Sequence, residues 1–192
     1  MNKKHFYEST FSIPYGGKCV FFGNGFSYSD EQATGITSNI KLLETYALGS
    51  GIVDTYPEID GVTRRAPLVF ESGGVLYPSL TMEVLRGLAG DKSFQIKLSP
   101  LGVDKLRIPQ YGPIQTNELG EVWIDWAQGY KSVSAVDLPE DFEGAVVFVG
   151  VSASGVTQPI STANGGVWPH EIQAAMLGTV FNESNIVRHP DA

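Results

Sequence analysis

Apolar residues recur at three- and four-residue spacing in three stretches of the chain, and this periodicity predicts three helices. The first lies in the second half of residues 33–48. The second covers residues 78–89, with Ser79 as its N-cap and Gly90 after its end. The third covers residues 170–181.

Residues 93–110 and 122–126 alternate between apolar and polar residues, as strands with one buried face do, and a break at 100–102 predicts a hairpin within 93–110. The strand-like runs 51–56 and 62–70 flank Asp60-Gly61. This dipeptide is typical of a two-residue hairpin turn, because glycine adopts positive φ without a steric penalty. A second turn at 72–74 leads into another short apolar run, so an antiparallel meander is predicted near 51–77.

Residues 145–149 (Ala-Val-Val-Phe-Val) are apolar without alternation, which is typical of a strand buried on both faces. The sequence therefore predicts an α/β fold: a mixed β-sheet with a central buried strand near 145–149, the meander at one side, and flanking helices. No linker divides the chain, so residues 1–192 are interpreted as a single domain.

Composition excludes one class of partner. The formal net charge is −8, and the 13 Lys and Arg residues form no run longer than two. Nucleic-acid binding depends on clustered cations, so no nucleic-acid partner is expected.

Cys19 is the only cysteine, which rules out an intramolecular disulfide. The uncharged stretch 144–169 is broken by Gly, Ser, Asn and Pro and does not fit a membrane-spanning helix.

The loop from Gly150 to Gly155 directly follows the predicted central strand, where open α/β sheets tend to bind ligands. Its glycine spacing does not fit a dinucleotide-binding fingerprint, and the fifth position of a nucleophile elbow is Ser154 in place of glycine. A Ser152–His170–Asp137 triad can be written down, but residues of these types occur in most chains of this length. A tight exit from the strand, with Ser hydroxyls bonded to backbone groups, is favoured.

Arg64 and Arg65 leave two interpretations open. They can bind a ligand carboxylate or phosphate through paired hydrogen bonds, or they can form ion pairs with Glu58, Asp60 or Asp137 inside the protein. The internal pairing is favoured, since Arg is seldom buried without a partner. On a strand, the two side chains are expected to point to opposite faces.

His170 stands at the predicted start of the third helix. The other histidines lie near the chain ends, so no metal site with plausible ligand spacing is expected, and no cofactor either. A structural imidazole, bonded to backbone or to a carboxylate, is the favoured interpretation of His170.

Several ordered blocks resemble one family, the second class of CHASE domains, which are extracellular sensory domains of bacterial adenylate cyclases, histidine kinases and related receptors. Tyr56 to Leu68 resembles the family's Pro-Asp-x-Asp-Gly-Val-x-Arg-Arg-x-Pro-Leu block, with Glu58 in place of an Asp. The other similar blocks are Pro78–Leu80 with Glu83, Ser132–Asp137, Phe142–Ala153, Gly166-Val167 with His170, and Arg188 with Pro190–Ala192. Ala145, Gln158 and Trp168 depart from the family pattern, where Lys, an acidic residue and Glu are usual.

The resemblance implies an extracytoplasmic sensory domain, periplasmic or at the cell surface, tethered to the inner membrane by parts of the same polypeptide. The family's front portion and its bracketing membrane helices are not recognised, so a fragment of a sensor is expected. The implied partners are an unknown small-molecule or other extracellular stimulus and the membrane-embedded and cytoplasmic output parts, with a homodimer left open. Ligand-binding residues are expected among Arg64, Arg65, Ser152, Ser154 and His170, and structural turns at Asp60, Gly61, Gly150 and Gly155.

No catalytic residues are expected, and two alternatives remain. One is a serine hydrolase that uses Ser152 and His170. The other is a dimerising ectodomain that binds no ligand.

Overall fold

The structure is a computed structural model. It describes residues 7–12, 18–29, 32–37, 39–72, 74–127, 130–138, 140–142, 144–153 and 155–183. In chain order, the elements are β1 (Tyr7–Ser12), β2 (Lys18–Ser29), β3 (Gln32–Thr37), α1 (Lys41–Tyr46), β4 (Gly49–Ile52), β5 (Arg65–Pro67), β6 (Val69–Ser72), β7 (Val75–Pro78), α2 (Leu80–Leu88), β8 (Gln95–Ser99), β9 (Gly102–Ile108), β10 (Gly112–Ile114), β11 (Glu121–Trp123), β12 (Val146–Val149), β13 (Ile160–Thr162), β14 (Gly165–Val167) and α3 (Pro169–Phe181).

The predicted α/β class and the mixed sheet are confirmed. Five strands form the largest sheet, in which β1 and β3 pair antiparallel with β2, and β4 pairs parallel with β2. The position predicted for residues 145–149 is wrong. Among the described strands, β12 lies at one end of the order β12-β1-β2-β3, and Val149 is 48% exposed. Residues 145–148 are half-buried, so the unbroken apolar run does not mark a strand buried on both faces.

The predicted meander is confirmed only in its second half, where β6 and β7 form an antiparallel hairpin. The first pairing is wrong, because β4 pairs with β2 and β5 pairs antiparallel with β11. Asp60 and Gly61 do form a turn, but it is a three-residue loop. Gly61 N–H donates to Glu58 O at 2.8 Å, Glu58 N–H donates to Val62 O at 3.0 Å, and Gly61 has φ +78°. Positive φ at the last residue of such a loop is typical of a bulged three-residue turn.

The helices follow the prediction closely. Ser79 Oγ accepts from the backbone N–H of Met82 at 3.1 Å, so Ser79 caps α2 as expected. Apolar side chains from α2 and α3 pack together with those of β5, β9 and β11 into the main core, which includes Leu68, Leu80, Met82, Leu85, Leu106, Ile108, Ile124, Ile172 and Met176. The hairpin predicted within 93–110 is also present as β8 and β9.

A buried polar contact joins the two core helices. Thr81 Oγ1 in α2 donates to Gln173 Oε1 in α3 at 3.1 Å, and Gln173 Nε2 donates to Val53 O at 3.4 Å. Both side chains are almost completely buried. Their hydrogen bonds fix α3 against α2 and against the segment after β4, because a slip would leave buried polar groups unpaired.

None of the helices within the described residues combines the length and the apolar character needed to cross a bilayer.

Candidate functional site

Both arginines of the Arg64-Arg65 pair bind carboxylates of the chain itself. Arg64 contacts Asp60 through two hydrogen bonds, at 2.7 and 3.1 Å, and Glu58 Oε2 at 2.8 Å. Arg65 contacts Glu58 Oε1 at 3.0 Å and Glu121 Oε2 at 3.2 Å. We call these five residues the Glu58 cluster. It ties the Asp60-Gly61 turn to β5 and β11. The two arginines thus form the internal ion pairs that were favoured over ligand binding.

The expectation that Arg64 and Arg65 point to opposite faces is wrong. Both guanidinium groups converge on Glu58, and their side chains are similarly exposed, at 29% and 36%. Strand alternation does not separate them because Arg64 precedes β5, where the chain leaves the turn. The hydrogen bonds from Arg64 lower the pKa of Asp60 below its usual 3.8, so this carboxylate stays ionised in the folded protein. The positive charge of Arg64 is therefore already paired with the carboxylates of Glu58 and Asp60.

No hydrogen bond joins His170 Nδ1 to Ser152 or Asp137, the other two residues of the possible triad. Ser152 and Asp137 are both exposed, and Ser154 lies outside the described residues. Gly155 has φ +86° and lies in a turn in which Val156 N–H donates to Ala153 O at 3.1 Å. The segment after β12 is thus a tight exit from the strand, as the sequence indicates.

His170 lies in the first turn of α3 with its ring against the backbone of Gly150. A Cβ atom at Gly150 would overlap the imidazole, so only glycine fits without a shift. The Nδ1 atom of His170 is buried and has no hydrogen-bond partner in the described part of the chain. Burial lowers the pKa of His170 below its usual 6.5, although the Glu171 carboxylate opposes this change.

The favoured interpretation of His170 was a ring bonded to backbone or to a carboxylate. It is wrong at Nδ1, because neither group binds this nitrogen. In a serine hydrolase, a carboxylate accepts from one ring nitrogen and so orients the imidazole toward the serine. Nδ1 of His170 lacks that contact. Nδ1 lies against the backbone of Gly150, which leaves it unpaired and closed to solvent in this arrangement.

A groove of about 540 Å³ opens beside His170, and we call it the β12–α3 groove. All four residues of β12, together with Gly150, form one wall. His170, Glu171 and Ala174 from the start of α3 form the second, and residues between 130 and 142 form the third. His170 and Ala174 are four residues apart and so lie on the same face of the helix. The volume is within the range found for small-molecule sites, about 300–1,000 Å³.

Polar side chains also line the groove, among them Tyr130, His170 and Glu171. Burial raises the pKa of Tyr130 above its usual 10.0, and the charge of Glu171 raises it further. The carboxylate of Glu171 is therefore within electrostatic reach of both the Tyr130 phenol and the His170 imidazole. Glu171 Oε2 accepts from the backbone N–H of Trp168 at 3.0 Å, which fixes this carboxylate at the start of α3.

The structure brings together only part of the predicted site. His170 and Gly150 line the β12–α3 groove, Ser152 lies outside its lining, and Arg64 and Arg65 belong to the Glu58 cluster. Sequence analysis missed the wall formed by residues 130–142. This wall has no helical or strand periodicity, and its signals were the resemblance of Ser132 to Asp137 to one family block and the position of Phe142 at the start of another. Among the described residues, no group of three or more His, Cys, Asp or Glu side chains is placed to hold a metal ion.

Comparison with protein families matches residues 17–192 to the CHASE2 domain. No curated protein and no solved structure matches the chain.

Proposed function

Because the chain belongs to the CHASE2 family of extracellular sensory domains of signalling receptors, we propose that it binds a small molecule in the β12–α3 groove. The bound molecule shifts the conformational equilibrium of a membrane-bound bacterial receptor. The observation that supports this site most directly is the groove itself, whose volume of about 540 Å³ is in the range of small-molecule sites and whose lining combines the apolar side chains of β12 with His170 and Glu171.

The position of the groove suits a sensor because α3 connects it with the core. His170 and Ala174 line the groove, whereas Gln173 on the same helix bonds to Thr81 of α2. Near the other end of α3, Val180 O accepts from the Tyr111 hydroxyl at 2.7 Å. A ligand that shifts the start of α3 must therefore change contacts along the whole helix. Signalling follows only if the ligand binds one arrangement of α3 more tightly than the other.

The parent receptor in this proposal is an adenylate or guanylate cyclase or a histidine kinase. The domain lies in the periplasm or at the cell surface and is tethered to the inner membrane, with its output parts in the same polypeptide. CHASE2 domains are sensory and not catalytic, and this supports a role for the chain as an input module.

A dimerising ectodomain without a ligand is the second candidate, and binding in the groove separates the two. We propose a thermal-shift screen of the 192-residue chain against small metabolites, run alongside Ala174→Trp. The larger side chain fills the groove from α3. Ala127→Trp is the matched control, because Ala127 is exposed and lies outside the groove lining.

A ligand at a hundredfold excess over its Kd should stabilise the chain by about 2.7 kcal/mol. The stabilisation should disappear in Ala174→Trp and persist in Ala127→Trp. Ligands that stabilise all three proteins equally would place binding outside the groove and overturn the proposed site. In-frame coding sequence on either side that lacks both membrane segments and an output domain would overturn the receptor assignment.

A further inference from the structure

We propose that the small molecule bound in the β12–α3 groove is a short extended peptide, which adds a strand to the edge of β12 opposite β1. This ligand class rests on the proposed function, since it names the chemistry that the same groove accepts. Three features support it: the course of the groove along a strand edge, the pairing of β12 within the described residues, and the charges of the lining.

The groove follows an edge of β12 and not one of its faces. Side chains alternate between the two faces along a strand. Val146 and Phe148 pack against the main core. Val147 and Val149 therefore point to the opposite face, yet all four residues line the groove. Only an edge of the strand borders both of its faces, so the groove runs along an edge.

That edge is the one opposite β1. On the paired edge, β1 lies antiparallel to β12 from Glu8–Val149 to Phe11–Val146, and paired strands are only about 4.8 Å apart, which leaves no room for a groove between them. No further strand within the described ranges pairs with β12. In an antiparallel pair, alternate residues direct their N–H and C=O groups to the partner and the others direct theirs to the opposite edge. Such an edge is a template for another extended chain.

The length of the edge fits a short peptide. Ala145 and Gly150 continue the lining at the two ends of β12. At about 3.3 Å per residue, the stretch 145–150 is roughly 17 Å long, which an extended peptide of about five residues matches. Residues 145–148 are half-buried, so water has limited access to this edge. A peptide backbone offers donors and acceptors at the spacing of the strand, which a compact ligand does not.

The lining indicates which side chains the peptide carries. Val133, Leu138 and Phe142 belong to the wall across the groove from β12, so apolar or β-branched side chains are expected in the middle of the peptide. Among the described lining residues, Asp141 and Glu171 are carboxylates, Lys131 is a cation, and the whole chain has a net charge of −8. Charge complementarity therefore favours Lys or Arg at the ends of the peptide over Asp or Glu.

The first test compares two blocked pentapeptides, acetyl-Lys-Val-Thr-Val-Lys-amide and its counterpart with Glu at both ends. Calorimetric titration of the 192-residue chain should give the Lys peptide an affinity at least about fivefold higher than that of the Glu peptide. Ala174→Trp should abolish binding of the Lys peptide, whereas Ala127→Trp should leave it unchanged.

The second test asks whether the backbone of the peptide is bound. An ester version of the Lys peptide, in which oxygen replaces the N–H of the three central residues, keeps the side chains and removes the donors. It should bind at least about tenfold more weakly, as expected for the loss of one or two hydrogen bonds. Hydrogen exchange measured by NMR should slow at alternate amides within 146–149 when the Lys peptide is bound, which binding through side chains alone does not produce.

Equal affinities of the Lys peptide and its ester version, with binding abolished by Ala174→Trp, would overturn strand addition while leaving the groove as the binding site. Peptide affinity that is unchanged in Ala174→Trp would place the peptide outside the groove and contradict the proposal. A Glu peptide that binds more tightly than the Lys peptide would overturn the charge preference. No binding of either peptide up to about 10 mM would overturn the ligand class, and the metabolite screen would then decide the proposed function separately.

Discussion

The imidazole of His170 lies against the backbone of Gly150 so closely that no side chain fits between them. The contact joins the exit of β12 to the first turn of α3, and both residues line the β12–α3 groove. Gly150 does not have positive φ. Glycine is therefore needed here for the close approach of the ring and not for a special backbone conformation. The ring orientation of His170 therefore depends on the residue at 150.

Gly150→Ala should displace the imidazole of His170. Overpacking of a filled site typically lowers the free energy of unfolding by about 1–3 kcal/mol, and we expect a loss in this range by urea denaturation. Gly166→Ala is the control, since its added Cβ would meet only Pro159, at 3.2 Å from the Cβ of that residue. Equal effects of the two substitutions would contradict the close approach at Gly150.

The stability of the protein should decrease with acid in a window set by His170. Its folded-state pKa is lowered by burial, so the unfolded chain binds the proton more readily. The contribution of His170 to the free energy of unfolding is fully present above pH 6.5 and is lost as the pH falls from 6.5 toward the folded-state pKa. Urea titrations between pH 8 and pH 5 measure the effect, and His170→Gln should flatten the profile. An unchanged slope in that variant would show that other groups cause the pH dependence.

Glu58→Gln should destabilise the fold more than Asp60→Asn does. Glu58 binds both Arg64 and Arg65, whereas Asp60 binds only Arg64 among the contacts of the Glu58 cluster. Thermal unfolding at low salt and at 1 M NaCl measures the difference, which should shrink at high salt because these side chains are partly exposed. Glu118→Gln, at an exposed position outside the cluster, is the control. A larger effect of Asp60→Asn would contradict the central position of Glu58.

Thr81→Val should lower the free energy of unfolding by about 1–3 kcal/mol, because it leaves the buried Gln173 Oε1 without its donor. The substitution keeps the shape of the side chain, so little of this loss comes from packing. Thr116→Val, at a half-buried loop position, should have a much smaller effect. Chemical denaturation of both variants checks the prediction, and similar losses would argue against a specific role of the Thr81–Gln173 contact.

The elements that the sequence predicted well are those whose cause is local. The apolar stripe of α2 and the cap at Ser79 are contained within a dozen residues, and the structure confirms both. The same is true of α3, and of the β8–β9 hairpin. The turn at Asp60-Gly61 was located correctly for the same reason, since glycine was needed for positive φ.

What the sequence did not predict depends on partners far along the chain. The strand after the turn pairs with β11, so that Arg65 lies opposite Trp123, and no local pattern indicates that register. The end position of β12 likewise depends on its pairing with β1. Only His170 and Gly150 of the predicted site were brought to the groove. Its third wall, near Tyr130, follows no periodic pattern that a sequence can reveal.

The Glu58 cluster and the lining of the β12–α3 groove have no residue in common. The stretch with the clearest family resemblance, Tyr56 to Leu68, therefore maintains the fold and contributes no residue to the groove in which the stimulus is proposed to bind. In the proposed sensor, Phe142, Ala145 and Ala174 can change, and with them the ligand that the groove accepts, while the arginine block stays intact. The proposal therefore predicts that two receptors that share this block can respond to different molecules.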